Sequence, residues 1–94
     1  MTKMNESYLT QYGLMAERHW REFCPTMVRK MEAQGRLTAM LFEAQESTKT
    51  EMENLRAEFR QQGLTQQQAH DRAWEIVRTR YILLEPEETR SGSG

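Results

Sequence analysis

The soft metal ligands of this sequence are three side chains, and their spacing does not bring them together. They are His19, Cys24 and His70. A metal site needs several ligands that converge from fixed spacings. His19 and Cys24 lie five residues apart, which is out of register on a helix, where neighbours on one face are three or four residues apart. We therefore expect no metal site and no cofactor.

Nucleophilic catalysis would depend on Cys24, which directly precedes Pro25. Because proline is accepted in the first turn of a helix, the positive end of that helix would lower the pKa of the thiol. A cysteine nucleophile also needs a base held by a third group, and His19 has no such partner in the sequence. Carboxylate pairs such as Glu43 and Glu46 are typical of a solvated helix face. We expect a non-enzyme without a small-molecule substrate, in which Cys24 is a half-buried hydrophobic residue.

Basic residues are concentrated in one stretch of the first half of the sequence. They are Arg18, Arg21, Arg29, Lys30 and Arg36. This stretch could contact phosphates at a helical corner around Pro25. The net charge is −1, however, whereas dedicated nucleic-acid-binding domains are usually basic. Nucleic-acid binding is therefore expected to be weak.

Apolar residues recur at helical spacing in four segments, which predicts four helices. The first begins at Asn5 or Ser7 and ends at Phe23, with Gly13 as an interruption near a frayed start. Pro25 begins a second helix that ends at Gln34, before Gly35. The other two predicted helices cover residues 36–62 and 66–84. The predicted fold class is an all-α, small helical bundle of three to four helices with one long central helix.

The break between the third and fourth helices carries the clearest local signal. Gly63 ends one helix, Thr65 caps the next, and Gln68 stands where the second half of a capping box belongs. The predicted core contains the large apolar residues of the four stripes. They are Trp20, Phe23, Leu37, Leu41, Leu55, Phe59, Trp74, Ile76 and Val77.

The third helix would be roughly 40 Å long, which is more than its neighbours can cover. We expect part of its apolar stripe to remain open and to bind a protein partner or a second copy. The candidate interface residues are Leu37, Met40, Leu41, Met52, Leu55 and Phe59. The alternative is a break in the weakly helix-forming stretch Ser47–Thr50, which would allow a compact monomer.

Composition limits the class of protein. A chain of 94 residues, with 37% apolar and 29% charged residues, makes one domain with a small core. We expect that domain in residues 1–90, followed by an appended flexible linker at Ser91–Gly94. The single cysteine, and the lack of a signal peptide or an 18-residue apolar run, favour a cytoplasmic protein without membrane contact.

Four short sequence segments resemble the TnpV-type small proteins encoded within bacterial transposons. The resemblance extends from about Tyr8 to Glu88. Its segments are Tyr12-Gly13-Leu14-Met15, Gln34-Gly35-Arg36-Leu37, Ala44-Gln45-Glu46, and Ala73-Trp74-Glu75-Ile76-Val77-Arg78 ahead of Tyr81-Ile82-Leu83-Leu84. It implies a bacterial mobile-element setting and a non-enzymatic accessory protein, and it supplies no functional residues.

The function expected from the sequence is therefore that of a small helical accessory protein that binds a protein partner or self-associates. One alternative is a nucleic-acid-binding accessory or regulatory protein that uses the basic Arg18–Arg36 region. Another is a small protein inhibitor of a bacterial or phage enzyme, an idea that depends on the fold alone.

Overall fold

The computed structural model describes residues 9–87, and about 80% of these residues are helical. The helices are α1 (Gln11–Phe23), α2 (Pro25–Ala33), α3 (Leu37–Gln61) and α4 (Gln66–Tyr81). No strand occurs between residues 9 and 87. The predicted small all-α bundle with a long central helix is confirmed. The predicted helix start at Asn5 or Ser7 and the linker at Ser91–Gly94 lie outside the described residues.

Two glycines end helices as the sequence predicts. Gly35 and Gly63 have φ angles of 69° and 101°, the left-handed region in which a glycine pays no steric penalty. At the end of α3, the Leu64 amide donates to the Phe59 carbonyl (3.1 Å) and the Gly63 amide donates to the Arg60 carbonyl (3.0 Å). These two bonds form a Schellman motif, which satisfies carbonyls that the helix leaves unpaired.

The capping box at the start of α4 is also confirmed. The Thr65 side chain accepts from the Gln68 amide (3.1 Å), and the Gln68 side chain accepts from the Thr65 amide (3.0 Å). Each residue thus satisfies a backbone donor that the first helical turn would leave free. The chain reverses between α3 and α4 and forms a helical hairpin.

Helix α3 is continuous, so the predicted alternative of a break within Ser47–Thr50 is wrong. Thr48 is fully buried, and its hydroxyl donates to the Ala44 carbonyl one turn earlier (2.8 Å). This bond satisfies the polar group of a weak helix former without interrupting the helix. Tertiary burial therefore outweighs the low local helix propensity.

Two helix ends differ from the sequence prediction. Thr10 has an extended backbone, and its amide and hydroxyl donate to the Gln45 side chain of α3, so α1 begins only at Gln11. Helix α4 ends at Tyr81, three residues before the predicted Leu84. Beyond it, the chain turns across α1, where side chains of that helix bind its carbonyls.

The core contains two clusters of buried residues on either half of α3. The larger cluster has Trp20 and Leu41 at its centre, and the smaller one has Met52, Ala73 and Val77. Helix α3 is the central element, since it packs most extensively against α4 and then against α1 and α2. No helix among the described residues is both long and apolar enough to cross a membrane.

The predicted core is confirmed for Trp20, Leu37, Leu41 and Val77, which are buried. Four further predicted members are only half-buried, namely Leu55, Phe59, Trp74 and Ile76. Phe23 is 38% exposed, and its place in the predicted core is wrong. It is the last residue of α1, and its ring lies beside that of His19 (4.6 Å between centroids).

Candidate functional site

The second half of α3 and the first part of α4 form a two-helix unit, residues 52–77, which we call the distal hairpin. Ala69, Ala73 and Val77 are fully buried and recur every four residues, so α4 presents a narrow stripe. Their small size lets α4 lie close to α3. From α1, Tyr12 reaches this unit and stacks on Trp74 (5.6 Å between ring centroids).

Besides Trp74, which stacks on Tyr12, four apolar side chains of the distal hairpin are half-exposed. They are Leu55, Phe59, Leu64 and Ile76. Leu55 and Phe59 pack against the edge of the smaller core cluster, whereas neither buried cluster of the described residues includes Leu64 or Ile76. A pair of helices can bury only the stripes that face each other, so the apolar residues at the margins stay accessible. This set is the candidate interaction surface.

Three of the six residues predicted for the interface are buried in the structure. Leu37, Leu41 and Met52 are buried to 8%, 2% and 1% exposure, so they belong to the core and the prediction of an open stripe there is wrong. Leu37 and Leu41 lie in the same cluster as residues of α1 and α2, the two helices that cover the first half of α3. Met40 is half-buried at the edge of that cluster.

Predicted nucleic-acid contacts do not form one free basic surface, although Arg18, Arg21, Arg29, Lys30 and Arg36 are all exposed. Arg21 lies between two carboxylates, at 3.0 Å from Glu17 and 3.2 Å from Glu32. The hydrogen bonds that the Arg21 guanidinium donates to Glu17 and, secondarily, to Glu32 raise the pKa of Arg21. Arg36 donates to Gln34 (3.2 Å). Two of the five cations therefore already have protein partners, which weakens the phosphate-binding alternative.

Cys24 is buried beneath the segment that follows α4. Cys24 is 4% exposed, and its Sγ donates to the Glu85 carbonyl (3.5 Å). Burial, and secondarily the charge of Glu87, raise the pKa of the thiol. The N-terminus of α2 does not offset this burial. The His19 Nε2 contacts the Leu84 carbonyl (2.8 Å).

Residues 82–87 follow α4, where the sequence predicts only the end of a helix at Leu84. In the structure this segment lies across the corner between α1 and α2, and we call it the strap. The Trp20 indole donates to the Ile82 carbonyl (3.0 Å), and the Glu87 amide donates to the Phe23 carbonyl (2.8 Å). Nothing in the local sequence signals these contacts, because they join residues about sixty positions apart.

Glu87 also caps α2 from the far end of the chain. Its carboxylate accepts from the Met27 amide (2.9 Å) and from the Thr26 amide (3.2 Å). The bond from Met27 is the main reason that the pKa of Glu87 is lowered. Cys24, the N-cap residue of α2, makes no side-chain capping bond, so Glu87 supplies a function that is normally local.

Open grooves line the described part of the bundle. One of them, of about 570 Å³, lies along the distal hairpin and includes Glu53, Arg56, Arg60 and His70. Within residues 9–87, no three His, Cys, Asp or Glu side chains are close enough to hold a metal ion. The sequence matches no protein-family model, no curated protein and no solved structure.

Proposed function

We propose that this protein is a non-enzymatic helical accessory protein of a bacterial mobile genetic element, and that it self-associates through the distal hairpin. The observation that carries the proposal is the half-exposed apolar set Leu55, Phe59, Leu64 and Ile76. Leu55, Phe59 and Ile76 lie on the two helices of this unit and Leu64 lies in the turn between them, while the Tyr12 ring of α1 stacks on Trp74 at one side.

The physical argument concerns apolar surface at the margins of the hairpin. Removing apolar area from water stabilises an assembly by about 25 cal/mol per Å². Half-buried apolar side chains can gain from such burial without any rearrangement of the core. A symmetric pairing of two hairpins would add a second layer of helices to the first, which is the usual way in which helices cover their apolar stripes.

Charges around this surface suit a second copy of the same chain. Glu53 and Glu58 on α3 are interspersed with Arg56 and Arg60, and all four lie on the distal hairpin. A surface that carries both signs can pair with itself, whereas a surface of one sign would repel its copy. We therefore favour a second copy over a strongly charged partner.

The cellular setting in this proposal comes from the resemblance to TnpV-type proteins. One of the segments that carry this resemblance, Gln34-Gly35-Arg36-Leu37, forms the corner between α2 and α3. A cytoplasmic location accords with the buried free thiol of Cys24, because exposed disulfide chemistry belongs to oxidising compartments. The non-enzymatic part accords with the raised pKa of that thiol.

Light scattering coupled to size exclusion tests the proposal on the intact chain at high micromolar concentration. We expect a mass of twice 11.2 kDa for the wild type. Ile76→Glu places a charge on the surface without touching either core cluster, so it should shift the mass toward 11.2 kDa while the circular dichroism spectrum stays helical.

Leu14→Glu is the matched control. Leu14 is also an apolar helical residue and is 50% exposed, but it lies on α1. This variant should retain the wild-type mass. A wild-type mass of 11.2 kDa at high micromolar concentration would overturn self-association, and loss of the dimer in Leu14→Glu but not in Ile76→Glu would place the interface elsewhere.

A further inference from the structure

We infer that the strap is a closure over Cys24, latched by the Glu87 carboxylate, that opens while the four helices remain folded. This device is separate from the distal hairpin and does not depend on self-association. Its geometry has three parts, which are a fixed end at Ile82, a row of backbone contacts over α1, and the carboxylate at the start of α2.

The fixed end sets the point about which the strap can move. Ile82 is fully buried in the larger core cluster, and its amide donates to the Arg78 carbonyl (3.0 Å). Leu83 and Leu84 are half-buried and pack against the edge of that cluster, while Glu85 and Pro86 are exposed. Segments with little buried apolar surface open at a lower free-energy cost than the core. Opening therefore involves residues 83–87 and leaves Ile82 in place.

The row of contacts runs along the end of α1. Beyond Ile82, the strap binds His19 through the Leu84 carbonyl (2.8 Å) and Cys24 through the Glu85 carbonyl (3.5 Å). The sulfur contact is a weak hydrogen bond. These contacts orient the strap. The Leu83 amide also donates to the Arg78 carbonyl (2.7 Å) and the Glu87 amide to the Phe23 carbonyl (2.8 Å), and these backbone bonds add to what opening of the strap must break.

The latch is the bond between Glu87 and the first turn of α2. The carboxylate accepts from both Thr26 and Met27, and bonds of this charge-assisted kind are roughly twice as strong as neutral ones. The positive end of the α2 dipole also favours a negative group at this place. Arg29 on α2 adds an attractive charge and Cys24 is the other titratable group that faces the carboxylate.

Release of the latch has a chemical consequence at Cys24. The closed strap places the Glu85 carbonyl against the sulfur, and the residue is 4% exposed. When residues 83–87 lift away, a small thiol reagent can reach the sulfur although the helices remain in place. The labelling rate of this single cysteine therefore reports the opening of the strap.

The test is the rate at which 4,4′-dithiodipyridine labels Cys24 in the intact protein at neutral pH. In Glu87→Gln the charge is lost and the bonds to Thr26 and Met27 weaken, so labelling should be about fivefold faster than in the wild type. Glu85→Gln is the control, because that side chain is exposed and its variant keeps the backbone carbonyl on the sulfur. It should label at the wild-type rate.

Low concentrations of urea distinguish opening of the strap from unfolding of the bundle. Opening of five residues exposes little surface, so the labelling rate should hardly change with urea below the unfolding transition. A rate that rises with the full denaturant dependence of global unfolding would overturn the inference. An unchanged labelling rate in Glu87→Gln would do so as well.

Discussion

Replacement of Gly13 by alanine tests how α1 crosses α3. In an ordinary helix interior, this change would add about 1 kcal/mol of stability, because glycine loses more backbone entropy than alanine on folding. Here Gly13 is buried, and an added Cβ would lie 2.6 Å from the Gln45 Oε1 and 2.8 Å from the Leu9 Cδ2. Both distances are too short for unstrained contact, so a neighbour must move.

The loss of stability in Gly13→Ala depends on which neighbour of the added Cβ moves. Gln45 is 1% exposed, and its Oε1 accepts from both the amide and the hydroxyl of Thr10. Displacing it sacrifices hydrogen bonds at the start of α1, and overpacking of a core costs about 1–3 kcal/mol. Subtracting the helix-propensity gain leaves a net loss of about 1 kcal/mol, which lowers the melting temperature of a domain this size by about 4–8 °C.

Thermal unfolding followed by circular dichroism measures this effect, and a double-mutant cycle assigns it. In a Gln45→Ala background the oxygen that meets the new Cβ is gone, so Gly13→Ala should cost less there than in the wild type. A melting temperature that rises in the Gly13→Ala single variant would refute the close approach of α1 and α3. Equal costs in both backgrounds would show that Gln45 is not the residue that resists the change.

Three further changes have expected outcomes that thermal unfolding measures. Gly63→Ala should cost about 1 kcal/mol or more, because no atom lies near the added Cβ and the left-handed φ of 101° is the whole penalty. Trp74→Ala should cost about 2–3 kcal/mol, below the value for a buried tryptophan, since the ring is half-exposed against Tyr12. The pKa of Glu51 is lowered, chiefly by the hydrogen bond that its carboxylate accepts from the Tyr81 hydroxyl. The stabilisation that this carboxylate contributes is therefore present above the ordinary pKa of 4.5 and is lost as the pH falls below that value. Glu51→Gln should therefore flatten the acid side of the stability profile.

Local signals in the sequence predict those parts of the fold that depend on near neighbours. The bonds of the capping box join Thr65 to Gln68, and the bonds that end α3 at Gly63 reach back no more than five residues. Pro25 likewise begins α2 as expected. In each case the residue type and the backbone group that it satisfies lie within about one helical turn, so no knowledge of the tertiary fold is needed.

Other features could not be predicted because their cause lies far away in the sequence. Gln45 has the character of a surface residue on a charged helix, yet it is buried. Its side chain accepts hydrogen bonds from Thr10, thirty-five positions earlier. Glu87 looks like part of an acidic tail, yet it caps a helix sixty positions away. Phe23 fits the apolar period of α1 but lies at its last residue, where the chain no longer faces the core.

The two ends of α3 explain why only one of them is a candidate interface. The first half is covered by α1 and α2, and the corner between those helices is closed by the strap through the Trp20 indole and Glu87. The second half is covered along one stripe by α4, whose buried residues there include two alanines, Ala69 and Ala73. Small residues bring the two backbones together, but they fill little volume, so larger neighbours such as Phe59 remain at the margin. The close pairing of α3 with α4 therefore itself leaves apolar area at the margin, which the proposed second copy would cover.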